Sequence, residues 1–356
     1  MKKLTLLLFL AYTLVGCKNP NLGRYEVIGT VSDSTFNGQM VDIIIPKVDG
    51  ILDSTLVVDN KFKLKGKLPQ KTLYQIRIRN KNIALAATED DEPVTIGFGK
   101  TGHVITTGTN SMAVSTLAKE LNDLSIRFMM VSRNIPDDKI VNEEHDKFRD
   151  QTLTILRKCV EENTDNLMGV YAIWQLDNFL RIDSTTSLDS LTSMVPISKE
   201  SPIIKSIRYD LERFEATQPG AMFTDFDGKD ANDNPIKLSD FVGKGKYVLA
   251  SYWTGWAGAC WEEIPYMKEN YAKYKDKGLV VLGINIWDKK KSLMQIIETE
   301  ELNWDMIFAL DNRDATKLYG VQTMPTLILF APDGTIVNRT VQGEETGKLL
   351  EEIFGE

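Results

Sequence analysis

The chain has 356 residues, 42% hydrophobic and 26% charged, with a formal net charge of −8. The length suggests two or three domains, each able to bury an ordinary core, and the acidic balance argues against a nucleic-acid partner, which needs a basic face. Two histidines far apart in sequence, His103 and His145, and three cysteines make a poor zinc ligand set, so no metal is expected. "GFGKTG" at 97–102 ends like a phosphate loop. That motif needs Gly five residues before Gly99, where Val94 stands, so the segment reads as a loop between strands.

The first residues read as an address. "MKK" is a short basic head, "LTLLLFLAYTLVG" is an apolar run, and Cys17 follows. The run is too short for a comfortable membrane span and fits a secretory signal peptide over 1–16. "LVGC" at 14–17 resembles the lipobox of bacterial lipoproteins. The resemblance implies cleavage before Cys17 and lipid attachment there, with residues 17–22 as an anchored linker. The bland alternative is a chance cysteine ending an ordinary signal. On the lipoprotein reading the chain sits outside the cytoplasm, lipid-anchored in the cell envelope, where disulfides are permitted.

Residues 23–110 look β-rich. "KFKLKGKL" at 61–68 alternates, with Phe62, Leu64 and Leu68 on one face and four lysines on the other. Asp59-Asn60 before it is turn chemistry. In "YQIRIRN", Tyr74, Ile76 and Ile78 share a face. The lysine row reads as a solvated face or a protected edge, with an acidic partner as the sharper alternative.

Residues 111–216 change period. Val114, Leu117, Leu121, Leu124 and Phe128 lie on one helix face, and Pro136 closes that unit. Phe148, Thr152, Ile155 and Cys159 mark a second helix. "LMGVYAIWQLDNFL" and a segment near 202–214 complete a helical region. Cys159 reads as a small buried apolar residue. Its pairing with Cys260 would need the two Cα atoms within about 7 Å.

Residues 217–356 alternate between apolar strands and amphipathic helices. Strands are expected at 246–253, 278–286 and 326–332, and helices around 258–276, 289–300, 313–319 and from 345. "PDG" at 332–334 is a hairpin turn signal. Such alternation gives an α/β sheet covered on both faces.

"YWTGWAGACWEEIP" at 252–265 resembles the active-site segment of the TlpA/ResA group of thioredoxin-fold thiol–disulfide oxidoreductases. Their pattern is W-C-x-x-C, then Glu three residues on and Pro two further. Trp256, Cys260, Glu263 and Pro265 match, and Ala257 stands at the first cysteine. "YGVQTMPTLILFAPDG" at 319–334 resembles the second signature, with Pro325 at the cis-proline. "QPGAMFTDFDGKD" resembles the segment that leads into the domain. Region 23–110 resembles, by pattern alone, the β-rich domain that often precedes this fold in lipoproteins of Gram-negative gut bacteria. The whole is then an α/β thioredoxin fold, a central mixed sheet with helices on both faces, preceded by a β-rich domain and a helical region. The resemblance implies thiol–disulfide exchange on extracytoplasmic protein or peptide thiols, without a bound cofactor.

That chemistry needs two sulfurs. The first, at a helix N-terminus, has its thiolate stabilised by unpaired N–H groups and attacks. The second resolves the mixed disulfide. With Ala257 in the first place, dithiol turnover is expected to be lost or weak. "TGWA" also keeps the Thr of the peroxiredoxin T-x-x-C without its Cys. Glu263 reads as an exposed helix residue on its own; the resemblance implies a proton-transfer carboxylate near Cys260. Pro325 reads as the start of an edge strand; the resemblance implies a backbone edge at Thr323 and Met324 beside the site, able to pair with an extended peptide. Trp256 reads as a partly buried anchor of the turn or as a flank of that groove. Three functions stay open: one-cysteine chemistry at Cys260, a non-catalytic binding module using the groove, and a scaffold whose function lies in the β-rich and helical regions.

Overall fold

A computed structural model of the chain describes residues 23–79, 81–90, 92–99, 102–134, 138–286, 288–309, 314–339 and 341–355. The signal segment, Cys17 and the linker to residue 22 lie outside the described residues, as does Pro136. The chain divides into two compact units: one is residues up to Arg181 with Ser190–Lys205, the other Ile182–Asp189 with Ser206 to the C-terminus.

The first unit begins with eight strands: β1 Gly23–Val31, β2 Met40–Ile44, β3 Asp53–Leu56, β4 Lys61–Leu68, β5 Leu73–Ile78, β6 Lys81–Ala87, β7 Val94–Gly99 and β8 Gly102–Ile105. They form two sheets of order β4-β1-β7-β8 and β3-β2-β5-β6. The alternation expected of 61–68 is present: Phe62, Leu64 and Leu68 are buried while the four lysines are exposed. Lys63 and Lys65 both reach Glu26 on β1, each at 2.7 Å, so the lysine row meets an acid of its own sheet. The inner faces join in one core, with Val27, Val31 and Leu64 from one sheet and Ile43, Tyr74, Ile76 and Ile78 from the other. Of the "GFGKTG" segment, 97–99 complete β7 and Gly102 opens β8, with Gly99 paired to Gly102; residues 100 and 101 lie outside the described residues.

Three helices follow: α1 Thr109–Asn134, α2 Asp138–Glu162 and α3 Leu167–Leu180; α4 Thr185–Met194, without a clear apolar signal in the sequence, straddles the division between the units. Two adjacent acids hold helix starts. Asp90 accepts from the backbone N–H groups of Asn110 (2.7 Å) and Ser111 (3.2 Å) at the first turn of α1. Glu89 accepts from Leu167 at the start of α3 (3.0 Å). Each satisfies N–H groups that a helix start leaves unpaired, with negative charge where the helix dipole favours it.

α5, Pro202–Ala216, straddles the division between the units. The second unit then adds β9 Asp227–Lys229, β10 Pro235–Lys237, β11 Tyr247–Trp253, α6 Gly258–Tyr274, β12 Leu279–Asn285, α7 Lys290–Thr299, β13 Asp305–Phe308, α8 Asp314–Lys317, β14 Thr326–Phe330, β15 Ile336–Arg339 and α9 Glu344–Phe354. The sheet order is β10-β9-β13-β12-β11-β14-β15. β11 is parallel to β12 and antiparallel to β14. Its alternate residues serve two faces. Val248, Ala250 and Tyr252 pack with Leu238, Val242, Ala315 and Tyr319. Leu249 packs with Met267 and Tyr274 of α6 and Leu350 of α9. The hairpin β9–β10 and the short strands β13 and β15 were not evident from periodicity.

Gly29 faces the sandwich core under Phe62, and a Cβ there would sit 1.9 Å from the ring. Gly29→Ala is expected to destabilise the first unit by about 1–3 kcal/mol, because the ring must leave a well-packed rotamer. Urea unfolding should show a lower midpoint for that unit, with Lys67→Ala, on an exposed face, nearly silent.

Candidate functional site

β11 delivers the chain to the site. It ends at Trp253, the turn 254–257 follows, and α6 starts at Gly258 with Ala257 as its N-cap. Ala257 has extended backbone (φ −90°, ψ 118°) and makes no side-chain cap. The preferred N-cap residues carry an oxygen that accepts from the first turn; a methyl cannot. Cys260 N donates to Ala257 O at 3.0 Å. Pro265 lies inside α6 and withholds one backbone donor there.

Cys260 is 3% exposed. It belongs to an apolar cluster with Trp253, Ile264, Leu293, Leu302, Met306 and Phe308, against which Ala257 and Met324 also pack. A cavity of about 10 Å³ adjoins its thiol, at the margin of what one water occupies. Burial pushes the Cys260 thiol above its ordinary value, a backbone hydrogen bond at Thr254 pulls it partly back, and the charges of Asp288 and Glu263 push it up further. Cys159 is also buried, and both thiols are free.

Glu263 is 5% exposed, not the solvated helix residue its neighbour Glu262 suggests. Its carboxylate accepts from the backbone N–H of Gly343 (2.9 and 3.1 Å). Burial raises its pKa and that hydrogen bond opposes the rise. Next to Gly343, the Gln342 side chain donates to Pro325 O at 2.8 Å. The two residues preceding α9 therefore tie Glu263 to the Pro325 loop. The Met324–Pro325 bond is cis, and Thr323 O accepts from Thr326 Oγ1 at 2.7 Å. Trp256 is 66% exposed and so does not anchor the turn. That anchoring falls to Trp261, whose Nε1 donates to Gly255 O at 3.0 Å.

Ala257, Cys260 and Met324 thus share one cluster, Glu263 and Pro325 are joined through Gln342 and Gly343, and Trp256 stands outside in solvent. Sequence reasoning missed the residues that shape the turn. Asp288 Oδ2 accepts from Gly255 N and from Asn285 Nδ2, both at 2.8 Å, and Asn285 Nδ2 also reaches Trp253 O at 3.3 Å. A lone amide ending the apolar run "GLVVLGINI" was the available signal for Asn285. Gln342 and Gly343 had no local signal. Asn285 Oδ1 and Thr254 Oγ1 are buried with no hydrogen-bond partner among the described residues. Those residues contain no cluster of His, Cys, Asp and Glu suited to a metal.

A seven-stranded mixed sheet with α6, α7 and α9 on one face and α8 on the other, its site at the end of the interior strand β11, defines a thioredoxin-like domain. Residues 219–339 match the AhpC/TSA family. Thiol-disulfide oxidoreductase ResA of Bacillus thuringiensis is 33% identical over 137 residues, 38% of this chain and 73% of that protein. ResA of Bacillus subtilis is 28% identical over 140 residues, 39% of this chain and 76% of that protein. Among solved structures, the thioredoxin domain of a thiol-disulfide oxidoreductase from Bacteroides vulgatus has 28% identity and a TM-score of 0.36, covering 38% of this chain and 98% of that one. The chain belongs, through its C-terminal domain, to the ResA family of thiol-disulfide oxidoreductases.

Two measurements probe the electrostatics. The folded pKa of Glu263 lies above the ordinary 4.5, so the native state holds its proton more tightly than the unfolded chain. Stability from this group is therefore lost as pH rises from about 4.5 through the folded pKa. Glu263→Gln, whose amide oxygen still accepts from Gly343, should gain stability relative to the parent over that window in urea titrations at stepped pH. For Cys260, the alkylation rate by iodoacetamide should rise through a midpoint above 9.0, and at neutral pH it should be well below that of an exposed thiol.

Proposed function

We propose that this chain is a membrane-anchored, extracytoplasmic thioredoxin-fold protein that engages thiol- or disulfide-bearing proteins without ordinary dithiol exchange. Ala257 stands at the attacking position of the family site, and Cys260 at the resolving position. One observation carries the reading: the N-cap of α6 is a methyl-bearing residue, and the sulfur in the first turn of α6, on Cys260, is 3% exposed. A helix N-terminus stabilises a thiolate placed on it, and no thiol is there to be stabilised. Without a second sulfur in the turn, no intramolecular disulfide forms and no electron pair is stored. Trp256, Thr323, Met324 and Pro325 would form the docking groove, with Glu263 as its buried carboxylate. The signal-like leader and the "LVGC" box at 14–17 support export and lipid attachment at Cys17. Among the described residues no helix is long and apolar enough to cross a membrane.

A second reading, one-thiol chemistry at Cys260, rests on the backbone hydrogen bond at Thr254, which partly opposes the rise that burial imposes on the thiol.

Reduction of a model protein disulfide separates the two. The full chain is expected to run at the background rate and to equal Cys260→Ala, whereas Ala257→Cys should bring measurable turnover. A parent chain that works, and that Cys260→Ala silences, would establish the one-thiol reading instead.

A further inference from the structure

The geometry points to the β2–β3 hairpin, residues 45–52, as a second membrane contact that inserts aliphatic side chains into the bilayer interface beside the lipid anchor. This rests on the lipidation of Cys17 proposed above.

Three neighbouring aliphatic residues protrude from this hairpin: Val48 is 36% exposed, Ile51 57% and Leu52 42%. They are not a loose loop. Val48 N donates to Ile45 O and Leu52 N to Ile43 O, while Ile45 below them is buried. The one cation of the tip, Lys47, reaches Asp177 of α3 at 2.8 Å, which fixes the hairpin base to the helical layer. Holding such side chains out on a rigid mount gains no stability for the fold while they stay in water; an apolar surface that accepts them would make their burial favourable.

The tether says which surface. Tyr25 OH donates to Asp53 Oδ2 at 2.8 Å, so the start of β3, immediately after Leu52, lies against the first residues of β1. The hairpin tip and Gly23 are therefore at the same end of the sandwich. Six residue steps separate Gly23 from Cys17, and fully extended they span at most about 20 Å. Acyl chains on Cys17 would hold this end of the sandwich at the membrane, with Ile51 and Leu52 facing it. A few exposed aliphatic groups bind membranes weakly alone and usefully as an addition to an anchor. The contact should be insensitive to salt, because the tip adds Asp49 and no uncommitted lysine.

The test uses the full lipidated chain in phosphatidylcholine–phosphatidylglycerol vesicles, with a polarity-sensitive fluorophore on Ile51→Cys, or on Leu52→Cys should the first disturb the hairpin. A label on Lys61→Cys, at the opposite end of β1 where Thr30 pairs with Lys61, serves as the control. Mass spectrometry reports acylation of Cys17 independently. The expected result is blue-shifted emission at 51, quenched by doxyl-bearing lipids and unchanged in high salt, with position 61 unaffected. An acylated protein whose label at 51 stays in water overturns this inference and leaves the anchor intact. A blue shift that lipid-borne quenchers do not touch means protein covers the tip, and also overturns it. A Cys17 without acyl chains overturns the anchor and the inference together.

Discussion

Strand β11 is buried along almost its whole length and hydrogen-bonds to strands of opposite sense on its two edges. The parallel partner, β12, ends level with it, so Asn285 and Asp288 arrive beside Trp253 and Gly255. The antiparallel partner, β14, begins at that level, so Thr323, Met324 and Pro325 arrive there too. Three loops converge because strand direction leaves them no other place, which is why ligand sites in open α/β sheets fall outside the carboxyl ends of strands. The Asp288 carboxylate then holds the Gly255 amide and sets the path of the turn into α6.

What converges is a cradle whose electrostatics oppose charge at Cys260. The thiol is buried among Trp253, Leu293 and Phe308, and two carboxylates act on it unfavourably. The place where a helix start would favour an anion is occupied by Ala257. The turn, the proline loop and the buried Glu263 are held by hydrogen bonds that do not depend on any sulfur.

Much of this was legible in the chain itself. Period-two alternation located β4 and β5, because one face of each is buried against the facing sheet. Continuous apolar runs located β11, β12 and β14, because both faces are covered. Short elements escaped. β13 and β15 have four residues each, too few for a period to show, and α4 is polar along most of its length. The burial of Glu263 was not legible either, because it depends on Gly343, 80 residues away. For Trp256 the spacing marks the turn but cannot say which of two nearby indoles, 256 or 261, holds it.

Arg339 carries a consequence for how the C-terminal unit can be handled. It is 4% exposed, held by Thr217 O (3.3 Å), Phe214 O (3.4 Å) and Tyr319 O (2.7 Å), and its guanidinium lies 4.4 Å over the Phe214 ring. Burial lowers its pKa to about 10. Two of those acceptors belong to the last turn of α5 and the residue after it, upstream of the segment that matches thioredoxin-fold relatives. A fragment trimmed to begin at Gly220 would strand this cation inside an apolar setting with two of these three acceptors gone. A self-sufficient piece therefore needs the last turn of α5, and a cut chosen from the family match alone would remove it.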